Sequence, residues 1–167
     1  LKGGVVGTLM TNLAFEEKCK NMNIPFLRSN VGDRYVSKLL YEKNWKLGGE
    51  NSGHILITDK HTTGDGIISA LQVLNALIKI KQSIDEALKS FPMYPQILIN
   101  LPLIKKVDLT SSVMKKAIND GNLIMENKGR ILIRESGTQP LIRVMTEGPD
   151  KEKAIKAAEF LVKAIKS

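Results

Sequence analysis

An apolar run, Gly4–Met10, opens the chain and predicts a strand. Asn12–Met22 changes to helical spacing, and Ile24–Arg28 returns to strand character, so the three make a parallel-type βαβ unit. Asp33–Asn44 follows as a helix with Tyr35, Val36, Leu39 and Leu40 as its apolar stripe. A polar, glycine-rich loop, Gly48–His54, leads into strand Ile55–Thr58. Thr62 and Thr63 offer an N-cap for Gly64–Ile80, the most strongly periodic helix, whose Ile67, Ile68, Leu71, Leu74, Leu77 and Ile78 keep core-facing spacing. Ser83–Lys89 reads as a short helix capped by Ser83.

Phe91-Pro92-Met93-Tyr94-Pro95 breaks both periodicities and marks a boundary between a domain at 1–90 and another at 95–167. The second runs strand Gln96–Leu101, helix Ser111–Asp120, strands Ile131–Arg134 and Leu141–Thr146, and helix Asp150–Lys166. The expected fold class is therefore α/β: a parallel-type α/β domain, then a small β-α-β-β-α domain of α+β type with helices on one face of an antiparallel sheet. The first strand begins almost at once after Leu1, and an α/β domain seldom opens without an element to cover that strand. The sequence thus reads as truncated at its N-terminus, with the start of the first domain missing.

Composition narrows the function. The chain has 167 residues, 43% of them apolar, which suffices for a real core. No apolar run approaches the roughly 18 residues that span a bilayer, so no membrane partner is expected. Cys19 has no second cysteine to pair with and sits on a helical stretch, which predicts a packed thiol in a reducing compartment and a cytoplasmic location. The methionines are expected in the core with it. Only His54 and His61 accompany that thiol, too few ligands for zinc. The net charge is +8, and residues 101–167 supply thirteen basic against eight acidic side chains. Those lysines are scattered and aromatics make up 5% of the chain, so stacking platforms for nucleic acid are scarce and no nucleic-acid partner is expected. A small anionic substrate accounts for the same charge.

The candidate chemistry sits in three loops. Around the turn between the last two strands, Arg134, Ser136, Gly137, Thr138 and Arg143 place two guanidinium forks, two hydroxyls and backbone N–H groups beside a glycine. These are the donors that a phosphate dianion requires. In Gly48–His54, the glycines let the backbone turn and approach a ligand. Glu50, Ser52 and His54 offer acceptors and donors suited to sugar hydroxyls. No Gly-Lys-Ser/Thr follows, so this is not a P-loop. In Val31–Arg34, Asp33 either caps the next helix or stands with Arg34 at the mouth of a crevice at the strand ends. The chain carries no nucleophile beside a base and no carboxylate cluster for magnesium, so no catalytic residue and no metal ligand are assigned.

With those residues in view, the chain resembles the third and fourth domains of the α-D-phosphohexomutase superfamily. Gly48–His54 is similar to the family's sugar-recognition loop, and Arg134–Pro140 with Arg143 to its phosphate-binding loop. Val31–Val36 and Thr62–Gly66 resemble the versions found in the branch acting on glucosamine phosphates. Gln139 departs from the glutamate usual in the family. The resemblance implies interconversion of glucosamine 6-phosphate and glucosamine 1-phosphate through a phosphoserine enzyme and a bisphosphate intermediate. It also implies that the phosphoserine and the Mg²⁺ loop lie in N-terminal domains absent from this chain. The chain would then bind a small sugar phosphate, with Asp33, Arg34, Glu50, Ser52 and His54 on the sugar and the arginine loop on the phosphate. It would hold no cofactor itself, have those missing domains as partners and be inactive alone. The competing expectation is a non-catalytic module that binds anionic sugars or another protein.

Overall fold

Strand β1 (Val5–Thr8) is buried at all four positions and is paired on both of its edges. β2 (Phe26–Ser29) pairs parallel on one side and β3 (Leu47–Gly49) parallel on the other. β4 (Ile55–Ile57) then adds antiparallel to β3, giving the order β2-β1-β3-β4. The computed structural model describes residues 3–89, 91–102, 108–136 and 139–166. The chain divides into two compact units, Leu1–Pro92 and Met93–Ser167.

In the first unit, helix α1 (Leu13–Asn21) links β1 to β2 and starts where Asn12 accepts the Ala14 N–H at 3.0 Å. Helix α2 (Asp33–Lys43) links β2 to β3 and seats Val36 and Leu40, both fully buried, with Val6 and Leu56. Burying an aliphatic side chain of this size contributes about 1.5–3 kcal/mol. Helices α3 (Gly66–Ile80) and α4 (Ile84–Lys89) follow β4. Ser83 and Glu86 form the capping box of α4 as expected: the Ser83 N–H donates to Glu86 Oε2 at 2.7 Å and the Glu86 N–H to Ser83 Oγ at 3.3 Å.

Four local expectations change. Gly48 and Gly49 belong to β3, not to a loop, because a Cβ at Gly48 would stand 2.6 Å from Val36 Cγ1 and 2.9 Å from the Val6 carbonyl oxygen. Glycine is there to let α2 lie close to the sheet. The cap of α3 is Asp65, whose Oδ1 accepts the Ile67 and Ile68 N–H groups at 2.9 Å each, while Thr63 turns its hydroxyl to His61 Nδ1. The apolar residues of α3 do not all face the core: Ile67, Leu71, Leu74 and Ile78 are exposed. Cys19 is buried in the first unit; of the methionines, Met114, Met125 and Met145 are buried in the second, but Met22 and Met93 are exposed.

The second unit is a three-stranded antiparallel sheet in the order β5-β7-β6, with β5 at Gln96–Pro102, β6 at Arg130–Glu135 and β7 at Leu141–Glu147. Helices α5 (Ser112–Ile124) and α6 (Lys151–Lys166) pack on each other and on one face. Ile142 and Val144 of β7 join Leu101, Met114, Ala117, Leu161 and Ile165 in its core. α5 runs past the expected stop at Asp120 because Gly121 is needed inside it, where a Cβ would meet Ile131 Cδ1 at 2.9 Å. Small residues also bring α6 close: Ala154, Ala157 and Ala158 are fully buried, and Thr146 Oγ1 donates to the Ala154 carbonyl at 2.8 Å.

On the opposite face, strand register sets side chains in rows across the sheet. One row joins Gln96, Glu147 and Arg130. Glu147 is 0% exposed, and its carboxylate accepts from Arg130 Nε at 2.7 Å and from Gln96 Nε2 at 2.8 Å. This is a buried charge satisfied on both oxygens. No helix among the described residues is long and apolar enough to cross a membrane.

Candidate functional site

The row after that ion pair and one apolar row is Asn100, Arg143 and Arg134. Arg134 and Arg143 stand directly opposite each other on β6 and β7, a placement that costs free energy when like charges face with nothing between them. Arg130, four residues earlier on the same strand, has Glu147 as counter-ion. Among the described residues, the guanidinium of Arg134 reaches the Glu135 carbonyl, at 3.4 Å. The Nε groups of both arginines are buried and have no hydrogen-bond partner among the described residues. Buried unpaired donors cost about 1–3 kcal/mol each, more when charged.

The chain turns next to this row. Ser136 N–H donates to the Leu141 carbonyl at 2.8 Å, and Leu141 N–H to that of Gln139 at 2.8 Å, which closes the connection. Ser136 is thereby fixed at the end of the strand that carries Arg134. Gly137 and Thr138 lie outside the described residues. Asn100 was not apparent from sequence, because only the pairing of β5 with β7 brings it beside Arg143.

In the first unit, β1, β2 and β3 run parallel, so the segments that leave their carboxyl ends share one end of the sheet. The chain passes from β1 outward to β2, then back across β1 to β3, which makes the gap between β1 and β3 the topological switch point. Glu50 leaves β3 there. Its side chain is 10% exposed, its Oε1 accepts the Gly32 N–H at 2.8 Å, and its Oε2 lies 3.9 Å from His54 Nδ1. Ser52 Oγ is 3.0 Å from the same nitrogen. Glu50 N–H donates to the His54 carbonyl at 2.9 Å and Gly53 N–H to that of Glu50 at 3.1 Å, so the turn is tight. Gly53 takes a φ of 95°, which favours glycine. Glu50, Ser52 and His54 are thus brought together in one turn.

Two further groups hold this turn, and sequence reasoning did not single them out. Asn51 Nδ2 donates to the Met10 carbonyl at 2.8 Å, which ties the turn to the segment after β1. The Gly32 N–H ties it to the start of α2. Gly32, with φ 127°, is the N-cap of α2, and Asp33 is the first helical residue; its Oδ1 accepts the Arg34 N–H at 2.7 Å. Arg34 Nη2 donates to the Tyr35 hydroxyl at 2.7 Å, and its guanidinium lies 4.6 Å from that ring's centre. Asp33 and Arg34 are exposed and engaged locally, unlike Glu50.

The model of the phosphoglucomutase/phosphomannomutase alpha/beta/alpha domain III matches residues 1–94, and that of the C-terminal domain matches residues 98–164. This chain belongs to the phosphoglucomutase/phosphomannomutase family. Within the family, it is 51% identical over 168 residues to the phosphoglucosamine mutase of Mannheimia succiniciproducens. It is 52% identical over 168 residues to that of Actinobacillus pleuropneumoniae. Both alignments take in the whole chain but 38% of the relative, so the chain spans well under half the length of these proteins. The fold also matches Aspergillus fumigatus N-acetylphosphoglucosamine mutase, crystallised with GlcNAc-6P and magnesium. There the TM-score is 0.80 at 20% identity, over 99% of this chain and 42% of that one. A putative phosphomannomutase from Thermus thermophilus matches at a TM-score of 0.65 and 16% identity, over 99% of this chain and 37% of its own. Among the described residues, no three histidine, cysteine, aspartate or glutamate side chains are grouped to hold a metal ion.

Proposed function

We propose that this chain is the substrate-binding portion of a phosphoglucosamine mutase, with the phosphate grip in the second unit and the hydroxyl grip in the first. The observation that carries the reading is the facing pair Arg134 and Arg143, whose buried Nε groups have no partner among the described residues. A phosphate dianion supplies the opposite charge and acceptors that this row requires. Ser136 adds a hydroxyl at its edge, and Gly137 and Thr138 add the remaining donors. In the first unit, Glu50 already spends Oε1 on Gly32, so Oε2 is the oxygen left for a sugar hydroxyl, with Ser52 and His54 beside it. Asp33 and Arg34 are secondary contacts to the sugar.

The identity to phosphoglucosamine mutases over the full chain supports glucosamine 6-phosphate and glucosamine 1-phosphate as the ligands. In such an enzyme these grips hold and orient the sugar phosphate while a phosphoserine exchanges the phosphoryl group, in a step governed by positioning and charge. The residues described here do not form a site that fits Mg²⁺, so no part of the metal's work is assigned to them.

Titration of the chain with glucosamine 6-phosphate and with inorganic phosphate, followed by amide NMR, tests both grips. Each charge-assisted contact contributes about 1.5–3 kcal/mol. Arg134→Ala and Arg143→Ala are therefore expected to weaken both ligands by about tenfold or more. Glu50→Gln is expected to weaken the sugar phosphate and leave inorganic phosphate unchanged. Equal affinity of wild type and the double arginine variant for phosphate would remove the proposal.

A further inference from the structure

Two rows on the face of the second sheet opposite α5 and α6 are built alike and filled differently. In the first, β5 contributes the amide Gln96, β7 the carboxylate Glu147 and β6 the guanidinium Arg130. The carboxylate lies between the other two and accepts from both, from Gln96 Nε2 at 2.8 Å and from Arg130 Nε at 2.7 Å. In the second, β5 again contributes an amide, Asn100, and β6 a guanidinium, Arg134, but β7 contributes Arg143 in place of an acid. The first row is neutral, whereas the second carries positive charge with no counter-ion of its own. Asn100 is exposed and stands directly opposite Arg143. Residues opposed in this way hold their Cβ atoms about 4.5–5.5 Å apart, which sets the amide beside the arginine side chain.

We propose that Asn100 is a third ligand of the anion held by Arg134 and Arg143, an assignment that rests on the phosphate grip proposed above. The first row shows the pattern within this sheet: an anion flanked by an amide from β5 and a guanidinium from β6. The second row repeats the amide and the guanidinium and places another guanidinium at its centre, so its anion comes from outside the chain. The unpaired donors are the two Nε groups, and a guanidinium that binds through Nε takes its anion side-on. Side-on binding keeps the anion near the base of each long side chain, at a height that the short asparagine reaches. Charge selects an amide here as well. Asn100 Nδ2 donates without bringing a negative charge, whereas a carboxylate would neutralise Arg143, as Glu147 does Arg130, and repel the ligand.

Titration of the labelled full chain with inorganic phosphate reads the side-chain NH₂ pair of Asn100, assigned by its loss from the spectrum of Asn100→Ala. That pair is expected to shift with phosphate, while the Gln96 pair, held by Glu147, stays in place. Asn100→Ala is expected to weaken phosphate about three- to tenfold. Asn100→Asp is expected to weaken it by more than the alanine does and, at the same time, to raise the urea midpoint, because the new carboxylate gives the facing arginines a counter-ion. Weaker binding by a more stable chain rules out misfolding as its cause. Two results overturn the assignment and leave the arginine grip standing: an Asn100 pair that stays still while Arg134→Ala and Arg143→Ala lose phosphate, or an Asn100→Asp chain that binds as wild type does. Arginine variants that bind phosphate as wild type does, or a wild type that binds none, would overturn the grip and this assignment with it.

Discussion

At the scale of single residues, two arginines on one strand differ in what surrounds them. Arg130 is neutralised by the buried Glu147, while Arg134 faces another arginine. The first is a satisfied ion pair within the sheet, and the second is the pair proposed to receive an anion. Removing one partner of a buried pair leaves an uncompensated charge, which costs about 3–5 kcal/mol. Glu147→Ala is therefore expected to lower the stability of the second unit by that amount in urea denaturation, and a loss below 1 kcal/mol would show the pair to be incidental. Neither pairing is legible in the sequence. Arg130, Arg134 and Arg143 look alike until strand register assigns their neighbours, and Glu147 reads as a polar residue at a strand end. Cys19 is the reverse case, since its packed position followed from helical spacing. Burial, with a smaller contribution from Glu16, pushes its thiol pKa up.

At the scale of elements, sequence periodicity located every helix to within a few residues but missed β3. That strand is three residues long, and two of them are glycines, so no apolar alternation announces it. Its glycines serve packing, which gives a prediction. Gly48→Ala drives a methyl into Val36 and the Val6 carbonyl and is expected to cost about 1–3 kcal/mol in urea denaturation. A neutral effect would mean that α2 sits farther from the sheet. Element ends carry a pH-dependent contribution as well. The Glu126 carboxyl is held below its ordinary value of 4.5 mainly by hydrogen bonds from Lys153 and Lys128. Asp150 is held below 3.8, first by the Lys153 N–H, and the Lys153 ammonium is raised mainly by Glu126. Depressed carboxyls contribute stability above their unfolded values, and it is lost as pH falls through the lower folded ones. The difference in melting midpoint between wild type and Lys153→Ala is accordingly expected at neutral pH and to vanish in strong acid. A difference that persists there would point to packing.

For the molecule as a whole, the net charge of +8 suits an anionic ligand, and phosphate affinity is expected to fall as salt rises. The two-part α/β and α+β organisation was legible because the second half changes from alternating to consecutive strand order. The candidate chemistry was drawn from loops rich in donors, and the family resemblance carried by those loops agrees with the domain matches. What the sequence could not supply was the connection between loops. Asn51 reaches Met10 across 41 positions and Glu50 reaches Gly32 across 18, distances along the chain that no local pattern spans.

That last hydrogen bond gives the first unit a reporter of its own. The Gly32 amide proton points at the carboxylate proposed to meet the sugar, so any pull on Glu50 is felt at the first turn of α2, on another element altogether. In a spectrum of the labelled chain, that one resonance is expected to register occupancy of the proposed hydroxyl grip and to stay silent to bare phosphate.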